Sequence, residues 1–125
     1  MRPLLLPLLL ITALPAAPPA TARETPGTVK ACLPIAQIRG SKVVNGQTID
    51  FSLRDGSVWR STLPGGQCGQ LGFERAFSYE TSISQLCKQD VITVLQNMGG
   101  LMPGARCGLG EFVAQPRPVP AGKAR

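Results

Sequence analysis

Four cysteines and no histidine, in a chain of 125 residues, bound what this sequence can become. Cys32, Cys68, Cys87 and Cys107 are widely spread. A zinc site built from thiolates needs close pairs such as C-x2-C, and the spacing offers none. A redox C-x-x-C is absent as well. Without imidazole there is no Cys–His or Ser–His nucleophile and no His-containing metal site. Lys88 beside Cys87 would favour a thiolate, but a lone reactive thiol would leave an odd cysteine elsewhere. An even number of cysteines in a short exported chain reads as a two-bridge disulfide framework.

Export is read from the N-terminus. Arg2 supplies a positive start, Leu4 to Leu14 an apolar run, and Ala20-Thr21-Ala22 an A-x-A cleavage site, so residues 1–22 read as a signal peptide. Pro7 interrupts the run and Pro15 stops it, which leaves it too short to span a bilayer as a helix. Cys32 lies too far past Ala22 to be a lipidated first residue. The expected location is the periplasm or the outside of the cell. Residues 23–31 read as a linker, 32–115 as one domain, and 116–125, with Pro116, Pro118 and Pro120, as a disordered basic tail. A domain this small buries only roughly 60–65% of its unfolded surface, so covalent staples offset a thin core.

The net charge of +6 is concentrated at the ends. Between Lys30 and Gln115 acids nearly balance bases, and no clustered basic face with interleaved aromatics emerges, so nucleic acid is not an expected partner. The tail, with Arg117, Lys123 and Arg125, is suited to an anionic envelope component, although a solvated end is the plainer reading.

The passage "SKVVNGQTIDFSLRDGSVWRSTL" carries the fold signal. Ile49, Phe51 and Leu53 alternate with Asp50, Ser52 and Arg54, which is the period of a half-buried strand. Asn45-Gly46 and Asp55-Gly56 are hairpin turns. A two-residue loop at Asn45-Gly46 would put Gly40 opposite Phe51, and Lys42 opposite Ile49 with its stem over apolar surface. At the second turn, a three-residue loop with a left-handed Gly56 pairs Phe51 with Trp59; the two-residue alternative would turn Trp59 to the polar face. Further strands are expected around Phe77 and Tyr79, over "DVITVLQ" as a central strand, and over "LGEFVAQ". "QLCKQ" reads as a helical turn and "NMGGLMPGARCG" as a Gly-rich loop; a helix over 82–96 competes but is opposed by Val91, Ile92, Thr93 and Val94. The expected fold is all-β: a small six-stranded antiparallel barrel or sandwich with two disulfides and one short helical turn. In an up-and-down strand order, Cys32 and Cys87 fall at one end and Cys68 and Cys107 at the other. That favours Cys32–Cys87 and Cys68–Cys107 among three connectivities, all of which stay open.

Each candidate for chemistry has a plainer competitor. Asp90 with Glu74, Glu80 or Glu111 would form a carboxylate pair only if the fold converged them; a turn aspartate holding backbone N–H groups is the simpler role. Met98 and Met102 are soft donors for Cu(I), but two thioethers without histidine make a poor site, and apolar cover over one barrel end is preferred. Trp59, Arg60, Phe73, Arg75 and Tyr79 would form an aromatic–basic ligand surface, against a core role for the rings. No phosphate-binding glycine loop is present, and no cofactor is expected.

The early Cys32, "TIDF", "LPGGQCGQLGF", "FSY" with "LCKQDVITV", and "RCGLGEF" together resemble a family of small exported proteobacterial proteins of unknown function. The resemblance spans about residues 32–114 and implies a four-cysteine periplasmic domain, with no activity, ligand or catalytic residue attached. The functional expectation is a non-catalytic domain that binds an envelope protein or an anionic envelope component. The alternatives are a hydrolase inhibitor acting through residues 98–105, and an enzyme that uses carboxylates only.

Overall fold

The computed structural model describes residues 3–5, 7–14 and 25–117. Cleavage at Ala20-Thr21-Ala22 and the tail beyond Arg117 lie outside the described residues. In chain order the elements are β1 (Val29–Lys30), β2 (Cys32–Pro34), a 3-10 turn (Ile35–Gln37), β3 (Ile38–Asn45), β4 (Thr48–Leu53), β5 (Val58–Thr62), α1 (Leu71–Glu74), β6 (Phe77–Tyr79), β7 (Gln85–Cys87), β8 (Val91–Asn97), β9 (Leu101–Gly108) and β10 (Phe112–Ala114). They form a five-stranded sheet in the order β1-β10-β5-β4-β3, a three-stranded sheet β6-β8-β9 and a ribbon β2-β7. The protein is mostly β, and among the described residues the sheets do not close into a barrel.

The strand that alternates best in sequence is the centre of the packing. In β4, Ile49, Phe51 and Leu53 turn inward and Asp50 and Ser52 outward. Phe51 meets Phe112 of the same sheet edge-to-face at 5.6 Å and Phe77 of the three-stranded sheet at 6.2 Å. Such T-shaped pairs place the positive ring edge on a negative ring face. The turn into β5 is the bulged one: Leu53 N–H donates to the Ser57 carbonyl at 2.9 Å, and Gly56 N–H donates to the Leu53 carbonyl at 3.0 Å. Gly56 has φ 88, where a side chain would be strained. Phe51 consequently stands opposite Trp59, and both are fully buried.

The first hairpin departs from expectation. Its turn is Gly46–Gln47, with Asn45 opposite Thr48, Val43 opposite Ile49 and Ser41 opposite Phe51. Register shifts beside residues 39 and 44 absorb the difference. Tertiary contact explains it. Gly46 is buried, its carbonyl accepts the Cys68 N–H at 2.7 Å, and a Cβ on Gly72 would sit 3.0 Å from Gly46 N. The turn is docked on α1, and Val43 goes inside with Ile49. Lys42 therefore faces Asp50 on the outer side, not apolar surface.

Three other expectations are corrected. "QLCKQ" is not a helical turn: Gln85–Cys87 pairs with β2, which places the buried Leu33 and Leu86 opposite each other. The short helix is instead Leu71–Glu74, bracketed by left-handed Gln70 and Arg75. The Gly-rich segment is not a loop throughout: after Met98-Gly99-Gly100 it runs as β9 along β8. β8 holds Ile92 and Val94 inside and needs a ladder partner on both edges to satisfy its backbone. Finally, Val29 and Lys30, in the presumed linker, pair with β10, and the Lys30 ammonium lies 4.6 Å over the Trp59 ring.

Both disulfides are present. Cys32 bonds Cys87 and Cys68 bonds Cys107, the pairing favoured by the strand ends. Their physical setting is more direct than a shared barrel end. Lys88 N–H donates to Ala31 and Ile35 N–H to Ser84. This leaves Cys32 and Cys87 at the intervening non-hydrogen-bonded position, where antiparallel side chains come closest. Cys68 and Cys107 tie the loop after β5 to β9.

Among the described residues the buried polar side chains are Ser57 and Ser61, and Ser61 is fully enclosed. Its hydroxyl donates to the Gly110 carbonyl at 2.9 Å and accepts the Gly110 N–H at 3.0 Å, fixing the loop between β9 and β10. We expect Ser61→Ala to cost about 1–3 kcal/mol, because it leaves the partly buried N–H and carbonyl of Gly110 without their partner. Chemical denaturation followed by Trp59 fluorescence checks it; a cost near zero would mean water replaces the hydroxyl.

Candidate functional site

The residues that carry side-chain chemistry are mostly engaged in holding the fold. Asp90 accepts the Cys87 N–H at 2.7 Å, and its own N–H donates back to the Cys87 carbonyl at 3.0 Å. That is the turn role. Glu74 accepts the Asn97 N–H at 3.4 Å, and Glu111 lies 3.5 Å from the Lys88 ammonium. These carboxylates take separate partners and are not brought to one cleft. All four cysteines are in disulfides. Among the described residues no group of His, Cys, Asp and Glu is positioned to hold a metal, and no helix is long and apolar enough to cross a membrane.

The aromatic–basic set is dispersed. Trp59 fills the core, its indole N–H donating to the Ser57 hydroxyl at 3.0 Å. Arg60, next along β5, points to the opposite face and forks onto Asp50 through Nε at 2.8 Å and Nη2 at 3.0 Å. Strand alternation separates neighbours in this way whenever one of them is buried. Tyr79 is half-buried beside Phe77, at 6.4 Å between rings. Phe73 and Arg75 are exposed on and just after α1. The five residues do not make one surface.

Asp55 shows a charge that serves the core. The Ser57 hydroxyl, and after it the Ser57 N–H, donate to Asp55 Oδ1 and hold this carboxyl below its ordinary value of 3.8. The same hydroxyl accepts from Trp59, so the buried indole is linked to an exposed carboxylate. A depressed folded pKa contributes stability above the unfolded pKa and loses it as pH falls through the folded one. Wild type is therefore expected to lose more stability than Asp55→Asn as pH drops below about 4. Urea midpoints measured across that range test this; parallel curves would contradict it.

What the structure does bring together is an apolar end. Ala76 accepts the Leu95 N–H at 2.9 Å and Glu74 reaches Asn97, so α1 sits beside the far end of β8. There Phe73 is 82% exposed, and on the adjoining hairpin Met98 is 74%, Leu101 67% and Met102 52% exposed. The methionines are not a cover over a barrel end; they face solvent. Single exposed apolar side chains need no explanation, but four large ones at one end of a small domain do. The hairpin leading to them is anchored at its other end, where Cys107 is bonded to Cys68. Leu101 carried no individual signal in sequence; only its place inside "MGGLM" pointed to it.

No family model, no curated protein and no solved structure matches this chain.

Proposed function

We propose that this chain is an exported domain, periplasmic or secreted after loss of residues 1–22, that acts by binding a protein and not by catalysis. Its sheets would form the two layers of an open sandwich. Membership of the exported four-cysteine family it resembles is part of this reading. The observation that carries it is the exposed end made by Phe73, Met98, Leu101 and Met102. Exposed apolar and methionine side chains gathered at one end of a domain adapt well to a protein partner. Two disulfides and the lack of a membrane-spanning helix among the described residues are compatible with an oxidising compartment.

A second reading makes the partner a hydrolase blocked by residues 98–105. The disulfide at the base of β9 favours it, since a pre-ordered hairpin loses less entropy when it docks.

The double variant Met98→Ser with Leu101→Ser separates binding from folding. Its thermal midpoint is expected to stay within about 2 °C of wild type, as for surface changes. Capture of an envelope protein by the immobilised wild type is expected to be lost in the variant. Equal capture by both proteins would remove the hairpin from the reading. Failure of the domain to slow any captured hydrolase would remove the inhibitor form alone.

A further inference from the structure

We propose that the outer face of the five-stranded sheet is a binding site for an acidic saccharide, a ligand with one carboxylate and several hydroxyls. This goes beyond the hairpin reading and does not depend on it. The face holds a groove of about 480 Å³. Ladder register places Lys42, Asp50 and Arg60 in one outward row across β3, β4 and β5. The next outward row is Gly40, Ser52 and Val58. A Cβ at Gly40 would meet nothing within 4 Å, so there is open space beside Ser52 at the edge of the groove. Gln115 and Pro116 line the groove beyond β10.

The donor and acceptor pattern selects the ligand. Asp50 uses both oxygens on Arg60, which holds the guanidinium in a fixed plane and leaves Nη1 outside the fork. Arg60 keeps 41% of its side chain exposed while Asp50 keeps 16%, so the row presents mainly its cations. Lys42 and Arg60 against one Asp50 give the row a single net positive charge. That attracts an anion, and a sugar carboxylate gains hydroxyl contacts along the groove that the smaller phosphate cannot span. Gln115 Nε2 donates to the Val113 carbonyl at 3.0 Å, which leaves Oε1 to accept from a ligand hydroxyl. The Ser52 hydroxyl lines the same space, and Val58 and Pro116 offer an apolar patch for the C–H face of a sugar ring. A carboxylate at Arg60 Nη1, on the side of the guanidinium away from Asp50, with hydroxyls toward Gln115 and Ser52 and the Lys42 ammonium adding positive charge along the row, uses every one of these groups.

The test is titration of the whole protein with glucuronate, read by backbone amide chemical shifts, with glucose and inorganic phosphate as comparisons. Expected are saturable shifts at Ser52, Arg60 and Gln115 with a dissociation constant of about 1 mM, and weaker binding of both comparison ligands. Lys42→Ala removes a cation, and Gly40→Val adds bulk beside Ser52 without touching a charge; each is expected to weaken glucuronate about tenfold or more. Unchanged Trp59 fluorescence verifies that both variants are folded. Met98→Ser with Leu101→Ser should leave the affinity as in wild type. Absent shifts at the groove, phosphate binding as tightly as glucuronate, or full affinity in Gly40→Val would each overturn the proposal.

Discussion

Phe51→Ala is expected to lower the stability of the domain by about 3–5 kcal/mol, the usual range for removing a phenylalanine from a core. Phe51 is fully buried and lies between Phe112, Phe77 and Trp59. Its ring touches partners on both larger sheets, so collapse around the cavity would have to move two layers of backbone at once. Small domains carry about 5–15 kcal/mol of net stability, and this change consumes much of it. Trp59, the chain's one tryptophan, reports the transition directly. Denaturation midpoints of wild type and variant, compared at equal slope, give the cost. A loss of less than about 1 kcal/mol would mean the sheets do not share one core.

The second large effect belongs to the bridges. Replacing Cys32 and Cys87 together by alanine is expected to cost about 4 kcal/mol, with Cys68 and Cys107 of similar size. Their sequence separations of 55 and 39 lie where the chain-entropy estimate changes slowly with loop length. The local consequence should differ. β2 and β7 form an isolated ribbon of three residue pairs, and a two-stranded ribbon is marginal on its own. Without Cys32–Cys87, amide exchange at Leu33 and Leu86 should accelerate more than at Ile92 in the three-stranded sheet. Uniform acceleration at all three sites would show that the bridge stabilises only through the unfolded chain.

Much of the fold was legible where local pattern and global packing agree. The alternation of Ile49, Phe51 and Leu53 named the inner face of β4. The two aromatics, Phe51 and Trp59, selected the bulged turn at Gly56, because the other turn would have exposed an indole. β-branched residues marked β8, and its near-continuous apolar run marked it as central. The strand ends favoured the observed cysteine pairing, although Cys32–Cys87 rests on a direct cross-strand pair and Cys68–Cys107 joins a loop to β9.

The misses share one cause, which is contact from far along the chain. Asn45-Gly46 has strong turn chemistry of its own, yet the docking of Gly46 against Cys68 and Gly72 moved the turn by one residue. "QLCKQ" has no strand signal of its own; the bond to Cys32 and the Leu33–Leu86 pairing impose one. Glycines in "NMGGLMPGARCG" weaken strand propensity, yet the open edge of β8 recruits the segment. The candidate site was harder still. Aromatics near each other in sequence, such as Trp59 and Phe73, divide between core and solvent, and only burial tells them apart.

The residue types alone determined that this protein is held by two disulfides, has no imidazole chemistry and builds its centre on one alternating strand. Those are properties of composition and period, which need no knowledge of distant neighbours. Tertiary structure decided the rest: which side chains stay wet at the end of the β8–β9 hairpin, and which charges share a row on the outer sheet face. Register and exposure arise from contacts between segments tens of residues apart, and no local pattern encodes such contacts.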